Sequence, residues 1–190
     1  MRPGAGTEFD RYRETYEAAV EDAIGFAGQE HAFYVEAKAR RLLELARRRL
    51  GPEPPEALDV GCGVGLADGR LLPHVASLHG VDVSEGMVER ARAANPAAAY
   101  EVYDGRTLPF AEASFDLVFA ICVLHHVEPR DREALATELA RVARPGGLHV
   151  TDAEYLLFFP WRGRAFAAAE RALRRVPLGA QYAVAGRPRP

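Results

Sequence analysis

Apolar positions fall at helical spacing through residues 30–50, EHAFYVEAKARRLLELARRRL, where Val35, Leu42, Leu45 and Leu50 stand among charges. That spacing predicts an amphipathic helix, and the GPEPPEA stretch after it predicts a stop. ALDVGCG then reads as a short buried strand running into a glycine loop. Leu66–Val75 predicts a short helix weakened by Pro73. SLHGVDV (77–83) is a second strand, and Ser84 is placed to cap a helix over EGMVERARAAN. That helix turns Met87, Val88 and Ala91 inward and ends at Asn95–Pro96. AAYEVYD (98–104) and the strongly apolar FDLVFAICVL (115–124) are a third and a fourth strand. Asp131 opens a helix with Leu135, Leu139 and Val142 on one stripe, and Pro145-Gly146-Gly147 closes it. LHVTD (148–152) is a fifth strand.

Strands that alternate with helices imply βαβ units, a parallel sheet and right-handed crossovers. In open sheets of this kind ligands bind beyond the carboxyl ends of the strands, near the point where strand order reverses. Four strand ends place glycine or polar residues on that rim: Gly61–Gly65, Asp82, Asp104 and Ile121–His126. The G-x-G-x-G loop removes three Cβ atoms where the chain turns, and the helix after it points its first amides at the rim. Asp82 lies seventeen residues beyond Gly65, a spacing that suits a carboxylate accepting from a ribose diol. Together these features point to a nucleoside. A dinucleotide would favour G-x-G-x-x-G, and Asp59 would sit awkwardly beside a pyrophosphate. It suits a ligand with an ammonium group, as Asp104 suits an adenine amine. A nicotinamide oxidoreductase is disfavoured by the G-x-G-x-G spacing and by Asp104.

Composition narrows the class without changing this picture. The chain has 190 residues, 48% hydrophobic and 27% charged, with net charge −3, which fits one globular domain and no general nucleic-acid binder. Residues 161–190 hold seven Arg against Glu170 alone. Arg164, Arg171, Arg174 and Arg175 read as the solvated face of a helix over Gly163–Val176, and no aromatic stacking platform is interleaved with them. The N-terminus shows no secretory h-region, and Leu117–Leu124 is too short to span a bilayer. The expected setting is the cytoplasm, without membrane or nucleic-acid partners. Cys62 and Cys122 lack metal-ligand spacing, so no metal is expected.

LDVGCGVG, GVDVSEGM, YDGRTLPF, FDLVFAICVLHHV and ELARVARPGG, in this order over residues 55–152, resemble the successive motifs of class I S-adenosylmethionine-dependent methyltransferases. The resemblance implies a Rossmann-like α/β fold: a doubly wound, mostly parallel sheet with helices on both faces. It implies S-adenosylmethionine as cofactor and S-adenosylhomocysteine as product. Asp59, Gly61 and Gly63 would line the methionine end, the glycines leaving room for it. Asp82 would hold the ribose hydroxyls, Asp104 and the Gly105 backbone the adenine edge, and Val83 and Met87 the adenine faces. Ile121 would meet the cofactor from strand four.

FDRYRETY and HAFYVEAKARRLLEL resemble the N-terminal helices, here 1–52, that cover the pocket in the small-molecule members. They would offer Tyr16, Tyr12 or Tyr34 to the sulfonium, or simply pack on the sheet. His125 and His126 are the candidate general bases, and at most one faces the pocket if the chain is extended. Asp152, Glu154 and Tyr155 are candidates for substrate contact. Segment 153–190 departs from the pattern. Relatives carry a helix and a loop between strand five and a segment like YLLFFP, and here Thr151–Glu154 joins them directly, too short for a parallel crossover. Part of the usual C-terminal strand and helix set is therefore expected to be missing, with YLLFFP as a lid or a strand absent. Gln181–Ala185 is expected as an antiparallel strand. The expected function is methylation of a small organic molecule at O, N or C. The alternative is a cofactor-binding pseudoenzyme or partner subunit, and a homodimer would restore a pocket wall from a second chain.

Overall fold

The computed structural model describes residues 28–124, 126–144, 148–156 and 181–188. Tyr12, Tyr16, His125 and the 163–176 segment lie outside the described residues, as do the side chains of Tyr34, Asp152, Glu154 and Tyr155. The first element is helix α1 (Gly28–Leu50), ended by Gly51 at φ +98°, whose amide donates to Arg47 O at 3.2 Å. Glycine favours that left-handed closing position because it has no Cβ. The expected apolar stripe is only partly used. Leu45 is buried and Leu42 packs on the core, but Leu50, the last residue of the helix, is exposed. Ala37, Ala39, Arg41 and Ala46 are the other buried residues among the described side chains of the helix.

Strands β1 (Glu56–Val60), β2 (Ser77–Asp82), β3 (Ala99–Val102) and β4 (Leu117–Phe119) form a parallel sheet in the order β3-β2-β1-β4. The chain steps outward from β1 to β3, then returns to pair β4 on the free edge of β1. The strand order therefore reverses between β1 and β4, and a ligand crevice is expected beyond their carboxyl ends. Helix α2 (Asp68–Leu71) and a 3₁₀ turn (Leu72–His74) join β1 to β2, α3 (Glu85–Ala94) joins β2 to β3, and α4 (Arg132–Val142) follows β4. The α3 cap is as expected: Ser84 Oγ accepts from the Met87 amide at 3.4 Å, and Met87, Val88 and Ala91 are buried. Residues 66–75 give only one helical turn before Pro73 tightens the chain.

Alternation along β1 divides the core in two. Ala57 joins Ala39, Leu71, Leu78, Val88, Ala91, Tyr100 and Phe119 on the face covered by α1–α3. Leu58 and Val60 join Val81, Leu108, Phe115, Leu135 and Val142 on the α4 face. By the two-residue period, Asp59 shares the face of Ala57. The sheet is thus covered by helices on both sides.

The fourth strand is shorter than the sequence pattern suggests, and the last two are longer. Of 115–124 only Leu117–Phe119 is strand, because Cys122 turns at φ +61° and leads the chain off the sheet. Beyond α4, strand β5 (Leu148–Leu156) pairs antiparallel with β6 (Gln181–Pro188), with an irregularity between Val150 and Asp152. The two form a ladder separate from the four-stranded sheet among the described residues. Tyr155 and Leu156, the start of YLLFFP, therefore continue β5 and need no crossover.

Candidate cofactor cleft at the strand ends

The four strand ends converge as expected. Asp82 ends β2 and Gly61 follows β1 directly, while Asp104 and Ile121 lie two residues past β3 and β4. Asp82 is held firmly at this rim. Its Oδ2 accepts from the Gly63 amide at 2.9 Å and its Oδ1 from the Ser84 amide at 3.0 Å. A carboxylate oxygen has two lone pairs, so each can accept one more donor, as a ribose diol requires.

The three glycines serve different ends. A Cβ on Gly61 (φ +79°) would collide with the Val123 side chain. One on Gly65 (φ +71°) would lie 2.5 Å from Asn95 Nδ2 and 3.0 Å from Tyr100 Oη. One on Gly63 (φ +55°) would meet nothing within 4 Å. Protein side chains thus fill two of the three gaps, and only Gly63 opens on free space. The expectation that all three glycines make room for a ligand narrows to Gly63. The helix following the loop is also less than expected, since α2 is a single turn beginning at Asp68. The amide that reaches the rim is that of Gly63.

Beneath the loop lies a polar network that the sequence reading missed. Asp59 (3% exposed) and Asp68 (fully buried) lie close together, each with an Oδ1 that no donor reaches. Two carboxyls buried side by side favour keeping a proton. Burial first, and then Asp68, push Asp59 well above the usual carboxylate range. Burial likewise raises Asp68, against the Tyr100 hydroxyl, which donates to its Oδ2 at 2.8 Å. Asn95 Nδ2 donates to Gly65 O at 2.9 Å and ties the loop to the end of α3. Burial and Asp59 raise the Cys62 thiol too, so it stays a thiol. Asp68 gave no motif signal. Its one sequence clue was an acid at the start of a helix too short to have a solvent face.

On the β3 side, Asp104 is exposed. Its Oδ1 accepts from the Arg106 and Thr107 amides at 2.8 Å each, which holds its carboxyl below the usual range. Gly105 (φ +77°) would bring a Cβ to 3.1 Å of Val83 Cγ1, so the two expected adenine neighbours are neighbours of each other. Val83 is 38% exposed, whereas Met87 is 1% exposed and packed in the core, so the cleft is open to one of the pair and closed to the other. Tyr103 sits behind this edge, its hydroxyl pushed up to about 12 by burial and by Asp82.

The β4 side is looser. Ile121 is half-buried against the α1–α3 core, Cys122 is exposed, and Val123 packs over Gly61. Lys38 Nζ on α1 donates to Cys122 Sγ at 2.9 Å, which brings the covering helix to the rim. His126 is exposed, and its amide donates to Val123 O at 2.9 Å in a turn.

This arrangement coincides with a known family. Residues 58–151 match the model of the methyltransferase domain. The chain belongs to the class I S-adenosylmethionine-dependent methyltransferases. It is 37% identical over 134 residues to the 27-O-demethylrifamycin SV methyltransferase of Amycolatopsis mediterranei, covering 65% of this chain and 47% of that one. Over 105 residues it is 37% identical to the malonyl-[acyl-carrier protein] O-methyltransferase of Methylococcus capsulatus, covering 53% and 38%. The crystal structure of DesVI from Streptomyces venezuelae superposes with a TM-score of 0.58 at 25% identity, covering 76% and 61%. The methyltransferase chain spans about two fifths to one half of the length of these curated relatives. No described helix of it is long and apolar enough to cross a membrane.

The cleft residues fit the family's cofactor. Gly63 leaves open space beside a carboxylate with spare lone pairs, and an exposed acid and an exposed apolar side chain lie at the next strand end.

Proposed function

We propose that this methyltransferase moves a methyl group from S-adenosylmethionine to an oxygen, nitrogen or carbon of a small organic molecule. The observation that carries the reading is Asp82, fixed at the end of β2 by the Gly63 and Ser84 amides with acceptor capacity left over beside the open space at Gly63. In this reading Asp82 accepts from both ribose hydroxyls, and Asp104 accepts from the adenine amine beside the Gly105 backbone. Val83 lies against the adenine ring, and Met87 supports it from beneath. Gly63 and Gly61 border the methionine end, where the Asp59–Asp68 pair beneath the loop, rather than Asp59 alone, keeps one negative charge for the ammonium. Ile121 closes the cleft from β4, and Tyr16 covers it from the N-terminal segment.

S-adenosylmethionine, when bound, supplies a methyl carbon already activated by its sulfonium. The protein's work is then to hold the nucleophile in line with that carbon and to exclude water. A hydroxyl or protonated amine also needs a base, which typically contributes about 10²–10⁴-fold. His126 or His125, just past β4, takes that role. The names of the relatives favour a small substrate: a rifamycin SV derivative for one and a carrier-bound malonyl group for another. The setting is the cytoplasm, where the free thiols Cys62 and Cys122 stay reduced, and a homodimer would supply the outer wall of the substrate pocket.

A second reading is a cofactor-binding protein without turnover. It is favoured by β5 running unbroken through Tyr155 and Leu156, with no helix before them. One assay separates the two. The chain is incubated with methyl-labelled S-adenosylmethionine and a panel of hydroxyl, amine and carbon-acid compounds. Many turnovers on any of them support the enzyme, and binding without transfer across the panel supports the second reading.

A further inference from the structure

The loop that carries Asp104 is fastened to a helix on the far face of the sheet. The Leu108 amide donates to Glu138 Oε2 at 3.0 Å. Arg141 returns two bonds, Nη2 to Leu108 O at 2.9 Å and Nη1 to Phe110 O at 2.8 Å. Glu138 and Arg141 lie one turn apart on α4 and bind each other twice, Nε to Oε1 at 2.9 Å and Nη2 to Oε2 at 2.7 Å. That pairing holds the Glu138 carboxyl low and the Arg141 guanidinium high, so both stay charged across the neutral range. Leu108 is buried beside Leu135, and the Phe110 ring meets Phe115 edge-on at 4.9 Å. From Leu108 the chain runs back through the Thr107 and Arg106 amides, both of which donate to Asp104 Oδ1. Hydrogen bonds at both ends of a short stretch of backbone therefore join α4 to the Asp104 carboxylate.

We propose that Glu138 and Arg141 are positioning residues for recognition of the cofactor's base. By fixing the Leu108–Phe110 backbone they fix the direction of Asp104, and so set the preference for a 6-amino over a 6-oxo purine. The proposal rests on the reading that Asp104 accepts from the adenine amine. Arginine suits the task because its planar fork serves two carbonyls and a carboxylate at once. A lysine ammonium, a compact point charge on a flexible stem, cannot hold that geometry.

The test uses the full chain and two ligands, S-adenosylhomocysteine and its 6-oxo counterpart S-inosylhomocysteine, titrated calorimetrically below each variant's own melting temperature. The unaltered protein should bind the 6-amino ligand at least about tenfold more tightly, because the 6-oxo group turns an acceptor toward a carboxylate. Arg141→Lys should bring that ratio to about threefold or less, by weakening the 6-amino ligand while leaving the 6-oxo ligand within about twofold. Glu138→Gln keeps an acceptor for the Leu108 amide and loses only charge, so it gives a readout with a milder change and an intermediate ratio. An unaltered protein that binds both ligands equally overturns the adenine role of Asp104, and the proposal with it. One that discriminates, beside variants that discriminate as well or lose both ligands in equal proportion, overturns the positioning role alone.

Discussion

The two flanks of the cleft are built on opposite plans. On the β1–β2 side, the polar and glycine residues that bound the cleft are held by others beneath it. Asp82 is fixed by two amides, Gly65 is wedged by Asn95 and Tyr100, and Asp59 is buried beside Asp68. On the β4 side the strand ends after three residues, and the chain continues through a left-handed Cys122 into an exposed turn. A flank fixed this way presents one geometry to one ligand, as a constant cofactor demands. A flank built from loop tolerates change, as variable substrates demand. The difference teaches where substitutions will be felt in cofactor binding and where only in substrate handling.

The largest expected effect tests this contrast at its two extremes. Asp82→Ala removes the proposed acceptor for the two ribose hydroxyls and leaves the Gly63 and Ser84 amides without their partner. At about 1.5–3 kcal/mol for each bond to a charged group, cofactor affinity should fall by at least about a hundredfold in calorimetric titration. His126→Ala, on the open flank, should leave cofactor affinity within about threefold. A comparable loss from both would remove the distinction.

Next come the glycines. Gly65→Ala adds a Cβ 2.5 Å from Asn95 Nδ2 in a left-handed conformation, and should cost more than about 3 kcal/mol in denaturant unfolding. Gly63→Ala meets no atom, so only its backbone conformation costs, about 1–2 kcal/mol. Its cofactor binding should nevertheless be lost, because the new methyl projects into the cleft. Equal destabilisation by the two would mean that the loop does not divide its glycines between packing and ligand.

The smallest effect is a pH dependence from the acid pair. Asp59 and Asp68 both titrate above their ordinary values in the fold, so the folded chain keeps a proton that the unfolded chain releases. The pair's stability is fully present below the unfolded values, near pH 4, and is lost as pH rises through the raised ones. Asp68→Asn keeps an acceptor for Tyr100 and offers an N–H to Asp59, replacing the retained proton with one that cannot leave. Its melting temperature relative to the unaltered protein should therefore rise as pH climbs above the ordinary carboxylate range, by a few degrees for about 1 kcal/mol. A difference that is flat or falls with pH would mean that no proton is retained.

Local signals account for what was legible in the sequence. The order of strands and helices, the Ser84 cap and the place of Asp82 each rest on residues within a few positions of one another. The end of β4 was not legible, because the apolar run 115–124 continues past the strand to supply the half-buried wall at Ile121 and Val123. Nor was the acid pair, since Asp59, Asp68 and Tyr100 come from three elements that meet only in the folded sheet. The Glu138–Arg141 clamp was hidden for the same reason: its targets are backbone atoms about thirty residues away.

The central claim is that the fixed flank is a site for S-adenosylmethionine. It is tested most directly by calorimetric titration of the purified chain with S-adenosylmethionine, S-adenosylhomocysteine and NAD⁺. Binding of the first two at one site per chain, with no heat from the third, is the predicted result. No binding of either sulfur ligand, or tighter binding of NAD⁺, would contradict it.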